Sequence, residues 1–232
     1  MIREVKKGFT IMELLLAMSI LSLLLLAIAM MTIQMTNIIA KGTTFKELNS
    51  AGRTINSEFT KTLNSIDGMG SWSGNSGDSY YRVEGGGGAF CTGKVSYLWN
   101  TNDSLEGGNG RIGYASGSSI IRLVKVRDAA RAYCADTNRW HQVPSDTNQT
   151  TEILAAGETD LRLYNIQFSS NSNLKDSASG QTVINIGYVL GTPKTSGVQL
   201  NSGTMNCTGD TKNNYCAVNK FELTVRTLGR QG

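Results

Sequence analysis

KKGFTIMELLLAMSILSLLLLAIA, residues 6–29, holds the stretch on which the reading of the whole chain turns. From Leu14 to Met31 no residue is charged, and only Ser19 and Ser22 are polar; Thr32 and Ile33 extend the run. At about 1.5 Å per residue, ~20 such residues cross a hydrocarbon core ~30 Å thick. Pro is absent from this region and the only nearby Gly are Gly8 and Gly42, so the stretch predicts one continuous membrane-compatible helix. The rest of the chain is too polar to wrap a buried soluble helix of that length.

In front of the run lies MIREVKKG, in which Arg3, Lys6 and Lys7 outnumber Glu4. A basic leader before an apolar stretch also marks a secretory signal, but those apolar stretches are shorter and end in a small-residue cleavage site. AIAMMTIQM, residues 27–35, is a poor site of that kind. The positive-inside bias is slight, since Lys41 and Lys46 follow the span. The oddity is Glu13, at the lip of the run. An acidic side chain costs about 2.5–3.5 kcal/mol at the centre of a membrane helix and less near its end, so a partner charge is the default expectation for it.

Residues 6–29 closely resemble the class III signal of type IV prepilins and pseudopilins: basic leader, Gly, Phe, Thr, then Glu at a fixed offset before the apolar run. The resemblance implies that a dedicated prepilin peptidase and methyltransferase cuts between Gly8 and Phe9 and N-methylates Phe9. It also implies that Glu13 serves filament assembly. Cleavage creates an α-amine at Phe9, and a buried cation is tolerated only when paired. The Glu13 carboxylate of one subunit would pair with the amine of its neighbour. The partners so implied are other pilin subunits, the peptidase, an inner-membrane assembly platform, and the membrane itself before assembly. The expected location is a single-pass membrane protein that later becomes an extracellular, surface-exposed pilus subunit.

Beyond the membrane run, Phe45, Leu48, Ala51/Gly52, Ile55, Phe59, Leu63 and Ile66 recur at three- and four-residue steps, an apolar helix stripe. Asp67-Gly68-Met69-Gly70 reads as a stop. The expectation is one helix over about 9–66, without a kink. Its divisions are a leader at 1–8, a membrane or filament-core half at 9–40, an amphipathic half at 41–67, and a β-rich head at 68–232. The fold class is α+β, a pilin-like lollipop: a long helix packed on a C-terminal antiparallel sheet with Gly-rich loops.

Residues 68–118 carry 14 of the 26 Gly, including Gly85–Gly88, and read as turns and irregular loop with one strand at 94–99. Further strands are expected at 119–126, 161–169, 181–190 and 220–227, with short ones at 139–143 and 151–154. The tail AVNKFELTVRTLGR resembles the last strand of larger minor pilins and J-type pseudopilins, and TDLRLYNIQF resembles a strand of the same sheet. By the same resemblance the chain is expected to be a minor type IV pilin, assembling into or initiating a pilus for motility, adhesion or DNA uptake. The alternatives are a pseudopilin of a type II-like secretion system, and an uncleaved membrane-anchored adhesin or receptor.

The four cysteines, Cys91, Cys134, Cys207 and Cys216, include no CxxC, and with a single histidine no ordinary zinc spacing arises. Beyond a membrane span they suggest two disulfides, for which three pairings are open. The C-terminal disulfide loop of many pilins favours Cys207–Cys216. Cys91–Cys134 is favoured beside it and would staple the Gly-rich stretch to the sheet.

The chain has 22 Lys+Arg against 18 Asp+Glu, net +4, with 40% apolar and 17% charged residues. That excludes a disordered chain and gives no strongly basic domain. Arg122, Lys125, Arg127 and Arg131 form a short basic cluster that leaves nucleic acid as a minor option; a solvated strand face is the simpler reading. No enzyme is expected. His141 has no nucleophile elbow, Ser172–Lys175 fits SxxK without companion motifs, and no Gly-rich loop continues into GK[ST]. Asn100–Asp103 and the Asp-Thr-Asn triplets at 136 and 146 read as turns rather than calcium ligands. Tyr80, Tyr81, Trp72, Trp99 and Trp140 are read as core before adhesive surface. No cofactor or metal is expected.

Overall fold

In the computed structural model, residues 9–66, 80–107, 110–117, 120–155, 157, 159–170, 180–201, 204–208 and 216–229 are described. The leader with Gly8, the stop at 67–70, Trp72 and the SxxK match lie outside them.

The polypeptide is a pilin-like α+β lollipop: a long N-terminal helix followed by an antiparallel β head. Helix α1 spans Ile11–Leu63, 53 residues without a break, two or three residues inside the expected ends. Thr10 caps its start and Asn64 its end. The side chains of Leu14 to Ile39 are exposed along their whole length, whereas Leu48, Ile55, Phe59 and Leu63 are fully buried by the head. The stripe is shifted from the expected one at its upper end: Thr44 is buried, its hydroxyl donating to the Ala40 carbonyl at 3.0 Å, and Phe45 is 37% exposed.

The head is two sheets rather than the single sheet expected. The first has five strands in sequence order: β1 Tyr81–Glu84, β2 Gly87–Cys91, β3 Val95–Asn100, β4 Leu123–Arg127 and β5 Thr150–Leu154. The second has three, in the order β10-β7-β6: β6 Arg162–Ser170, β7 Val183–Gly191 and β10 Val218–Arg226. A separate hairpin pairs β8 Val198–Asn201 with β9 Thr204–Cys207. The tail strand and the 162–170 strand thus share a sheet but are not neighbours, since β7 lies between them.

Three local expectations are corrected. The stretch around Gly85–Gly88 is a hairpin, not irregular loop. Glu84 pairs with Gly87, so Gly85 and Gly86 form a two-residue turn with φ of 58° and 81°. Tight primed turns need such positive φ values, and two adjacent glycines adopt them without strain. Residues 139–143 are not a strand. Thr137–His141 form a 3₁₀ turn because Asp136 caps the Asn138 N–H and Trp140 Nε1 donates to the Tyr133 carbonyl at 2.8 Å. The strand expected from residue 119 begins only at Leu123, because buried Asn100 takes the carbonyls of Ile112 and Ile121 with its amide nitrogen, each at 2.8 Å. That hydrogen bonding replaces a ladder with a side-chain tie. Asp136 and Asp146 each accept from the N–H two residues on, so both Asp-Thr-Asn triplets are Asx turns.

The first sheet is buried on both faces. Toward the helix, Phe90, Tyr97, Trp99 and Leu123 join Phe59, Leu63 and the second sheet's Phe168, Ile186 and Tyr188 in one core. Behind it, Ala89, Leu98, Val124 and Val126 pack under Tyr114, Tyr133, Trp140 and Val143. Hence Tyr81, Trp99 and Trp140 are core residues, at most 7% exposed.

The second sheet lies against α1 where the helix has no side chain. The Phe221 ring comes within 2.3 Å of where a Cβ on Gly52 would sit. Tyr188 stacks on Phe221 at 5.1 Å, and its hydroxyl lies between two acceptors, the Gly52 carbonyl at 2.8 Å and Asn56 Oδ1 at 2.7 Å, sharing its one proton. Polar clamps join the layers. Lys125 of β4 pairs with Glu58 of α1. Asp160 is held by Arg122, just ahead of β4, at 2.6 Å and by Arg162 of β6 at 2.8 Å.

Burial alone would raise the Asp160 carboxyl, but the bonds from Arg162 and Arg122 outweigh it and hold it below the ordinary aspartate value. A depressed carboxyl contributes stability above its unfolded pKa and loses it as pH falls through the folded one. Acid titration of the melting temperature is therefore expected to drop more slowly below about pH 4 in Asp160→Asn than in the parent chain. The half-exposed site limits the difference to about 1 kcal/mol or less.

Candidate functional site

The site is the first turn of α1 together with the bare helix above it. Thr10 and Glu13 form a capping box. The Glu13 N–H donates to Thr10 Oγ1 at 3.3 Å. In return Glu13 Oε2 accepts from the Thr10 N–H and the Thr10 hydroxyl, each at 3.0 Å. Two of the helix's orphan donors are satisfied by this exchange, and a carboxylate is placed where the helix dipole favours negative charge. Both bonds fall on Oε2, and Oε1 takes none among the described residues. The carboxylate can therefore hold its own helix end and still present an oxygen outward. Thr10 is the functional residue the sequence reading passed over. Its signal was present in the T-x-x-E spacing of a capping box, read there only as part of the signal motif.

Phe9, just before the cap, is 78% exposed. Above it, the large apolar side chains of α1 up to Ile39 are all more than half exposed, and none of the described head residues covers them. This part of the helix is long and apolar enough to cross a membrane. Within it the hydroxyls consume themselves: Ser19, Ser22, Thr32 and Thr36 return them to carbonyls three or four residues back, at 2.8–3.1 Å, and the amides of Gln34 and Asn37 are confined to its upper end. That leaves an apolar cylinder with one acidic end.

The remaining candidate residues do not form a second chemical centre. The basic cluster is largely spent: Arg122 on Asp160, Lys125 on Glu58, and Arg131 over the Tyr80 ring at 4.6 Å. His141 is exposed on the 3₁₀ turn. Among the described residues no group of His, Cys, Asp and Glu is placed to hold a metal ion.

Cys91 is joined to Cys134 and Cys207 to Cys216. The first bond ties the end of β2 to the short helix Ala132–Ala135 across the rear core, and both cysteines are buried. It spans 43 residues, so its loss in Cys91→Ser/Cys134→Ser is expected to cost about 2–4 kcal/mol. A fall in melting temperature, with the expression level unchanged, is the readout.

Residues 5–29 match the model of the prokaryotic N-terminal methylation motif. No curated protein and no solved structure matches the chain. The motif supports a type IV pilin-like protein, a class whose members are structural rather than enzymatic. It implies processing by prepilin peptidase and assembly with other pilins. The apolar helix and the exposed head agree with a membrane-anchored pilin that later reaches the surface.

Proposed function

We propose that the chain is a minor type IV pilin. In this reading residues 1–8 are a leader cut after Gly8, and Phe9 becomes an N-methylated terminus. Residues 9–40 anchor the subunit in the membrane and then pack in the filament core. Residues 41–67 mount the head at 68–232, which decorates or initiates the filament. The single observation that carries the assembly step is the capping box at the helix start. Glu13 is held at the very end of a bare apolar helix, one turn from the amine that cleavage would create. Burying that end among neighbouring helices would strand both charges unless they meet, so each carboxylate recruits the amine of the next subunit. The large head, with its own two-sheet core and two disulfides, favours the minor role over a compact repeating subunit.

The test is mass spectrometry of the N-terminus of the protein from a host with an active prepilin peptidase. An N-methylated Phe9 is the expected result. A chain still beginning at Met1 would overturn the reading and leave a static membrane anchor.

A further inference from the structure

We propose that the cleft between the end of β4 and the loop leading to β5 binds an acidic sugar through its carboxylate. The cleft has a volume of about 380 Å³ and is lined by Val95, Lys125, Arg127, Thr147, Gln149 and Thr151, with Asn148 at its rim. That size is at the lower end for small-ligand sites. Four of its donor side chains are uncommitted among the described residues. Arg127 has no hydrogen-bond or ion-pair partner for its guanidinium among the described residues, and the side chains of Thr147, Gln149 and Thr151 have none either. Elsewhere in the basic cluster the cations are already paired.

The frame beneath these side chains is fixed. The Arg127 N–H donates to the Gln149 carbonyl at 2.9 Å, and the N–H groups of Gln149 and Thr150 both return to the Asp146 carbonyl. The Thr150 hydroxyl ties the loop to the Pro144 carbonyl at 2.7 Å. Lys125 sits opposite Thr151 in the ladder and is anchored by Glu58. So a planar guanidinium fork, two hydroxyls and an amide converge from a rigid edge.

A guanidinium fork matches a carboxylate bidentately. Hydroxyl and amide groups match the hydroxyls of a sugar ring. A nucleic acid asks for more: several free cations along a backbone track and aromatic rings for the bases. Among the described residues the cleft offers one free cation and no aromatic lining. The proposal is independent of how the helix end assembles.

The experiment uses the full chain in detergent micelles on a surface, with a glucuronate-containing hexasaccharide as probe. Its carboxyl-reduced form and a single-stranded oligonucleotide are run beside it. The acidic sugar is expected to bind, more weakly as salt rises. Arg127→Gln, which breaks no contact of the fold, is expected to weaken it at least about tenfold, and the reduced sugar to lose binding similarly. Arg226→Gln, on β10, is expected to leave it unchanged. Absence of binding by the parent chain, or equal binding by Arg127→Gln with an unaltered circular dichroism spectrum, overturns the proposal. Arg127-dependent binding of the oligonucleotide with no binding of the sugar also overturns it and assigns the cleft to nucleic acid.

Discussion

Phe59→Ala is expected to lower the unfolding free energy of the head by about 3–5 kcal/mol. Phe59 is fully buried on α1 and meets Tyr97 of the first sheet edge-on at 4.7 Å and Phe168 of the second at 5.5 Å. It is therefore the side chain through which both sheets hold the same helix. Truncation leaves a cavity at a three-layer junction where the ring stack of Phe90 on Phe168, at 4.1 Å, resists collapse. At roughly 2–4 °C per kcal/mol for a domain of this size, the melting temperature should fall by about 6–20 °C. Phe59→Leu should recover a large part of that. A loss under about 1 kcal/mol for the alanine variant would mean that the sheets support each other without the helix.

Glu13→Ala should leave membrane insertion and leader removal intact and abolish most incorporation into filaments. The variant removes the partner of a buried terminal amine, and a stranded buried charge costs about 3–5 kcal/mol. Converted to populations, that is a reduction of roughly 10² to several 10³ in the assembled fraction. Thr10→Ala should be milder, about tenfold or less, since it removes only a cap worth about 1 kcal/mol while leaving the carboxylate. Immunoblots of sheared filaments against the membrane fraction give both numbers. Normal incorporation of Glu13→Ala would remove charge pairing from the mechanism.

The long helix and the later strands are legible in the chain because their periodicity is unobstructed. Ile55, Phe59 and Leu63 keep helix spacing, and Phe221, Leu223 and Val225 alternate with Glu222, Thr224 and Arg226. Of the early strands β3 is anticipated, at 94–99, whereas β1 and β2 hide. The first sheet is covered on both faces, so β2 carries no polar-outward alternation to betray it. Their flanking glycines then read as loop, although a Gly-Gly pair is a hairpin signal in its own right. The strand expected at 139–143 failed for the opposite reason. Trp140 and the spacing to Val143 imitate a strand, while Asp136, outside the window, imposes a turn. The cleft at Arg127 had no signal at all: it depends on which of four neighbouring cations are neutralised, and Asp160 and Glu58 lie far from them in sequence.

The contact between α1 and β10 also sets a schedule. Asn219 donates to Asn49 at 3.2 Å across 170 residues, next to the Gly52 notch that receives Phe221. The strand that covers this part of the helix is thus among the last pieces the ribosome makes. At about 5–20 residues per second, the notch waits roughly 8–35 s for its occupant. During that interval the Gly52 notch lacks the Phe221 ring, although β7 already reaches it through the Tyr188 hydroxyl. A chain cut short before residue 218 lacks β10 altogether and leaves the Gly52 notch without its ring.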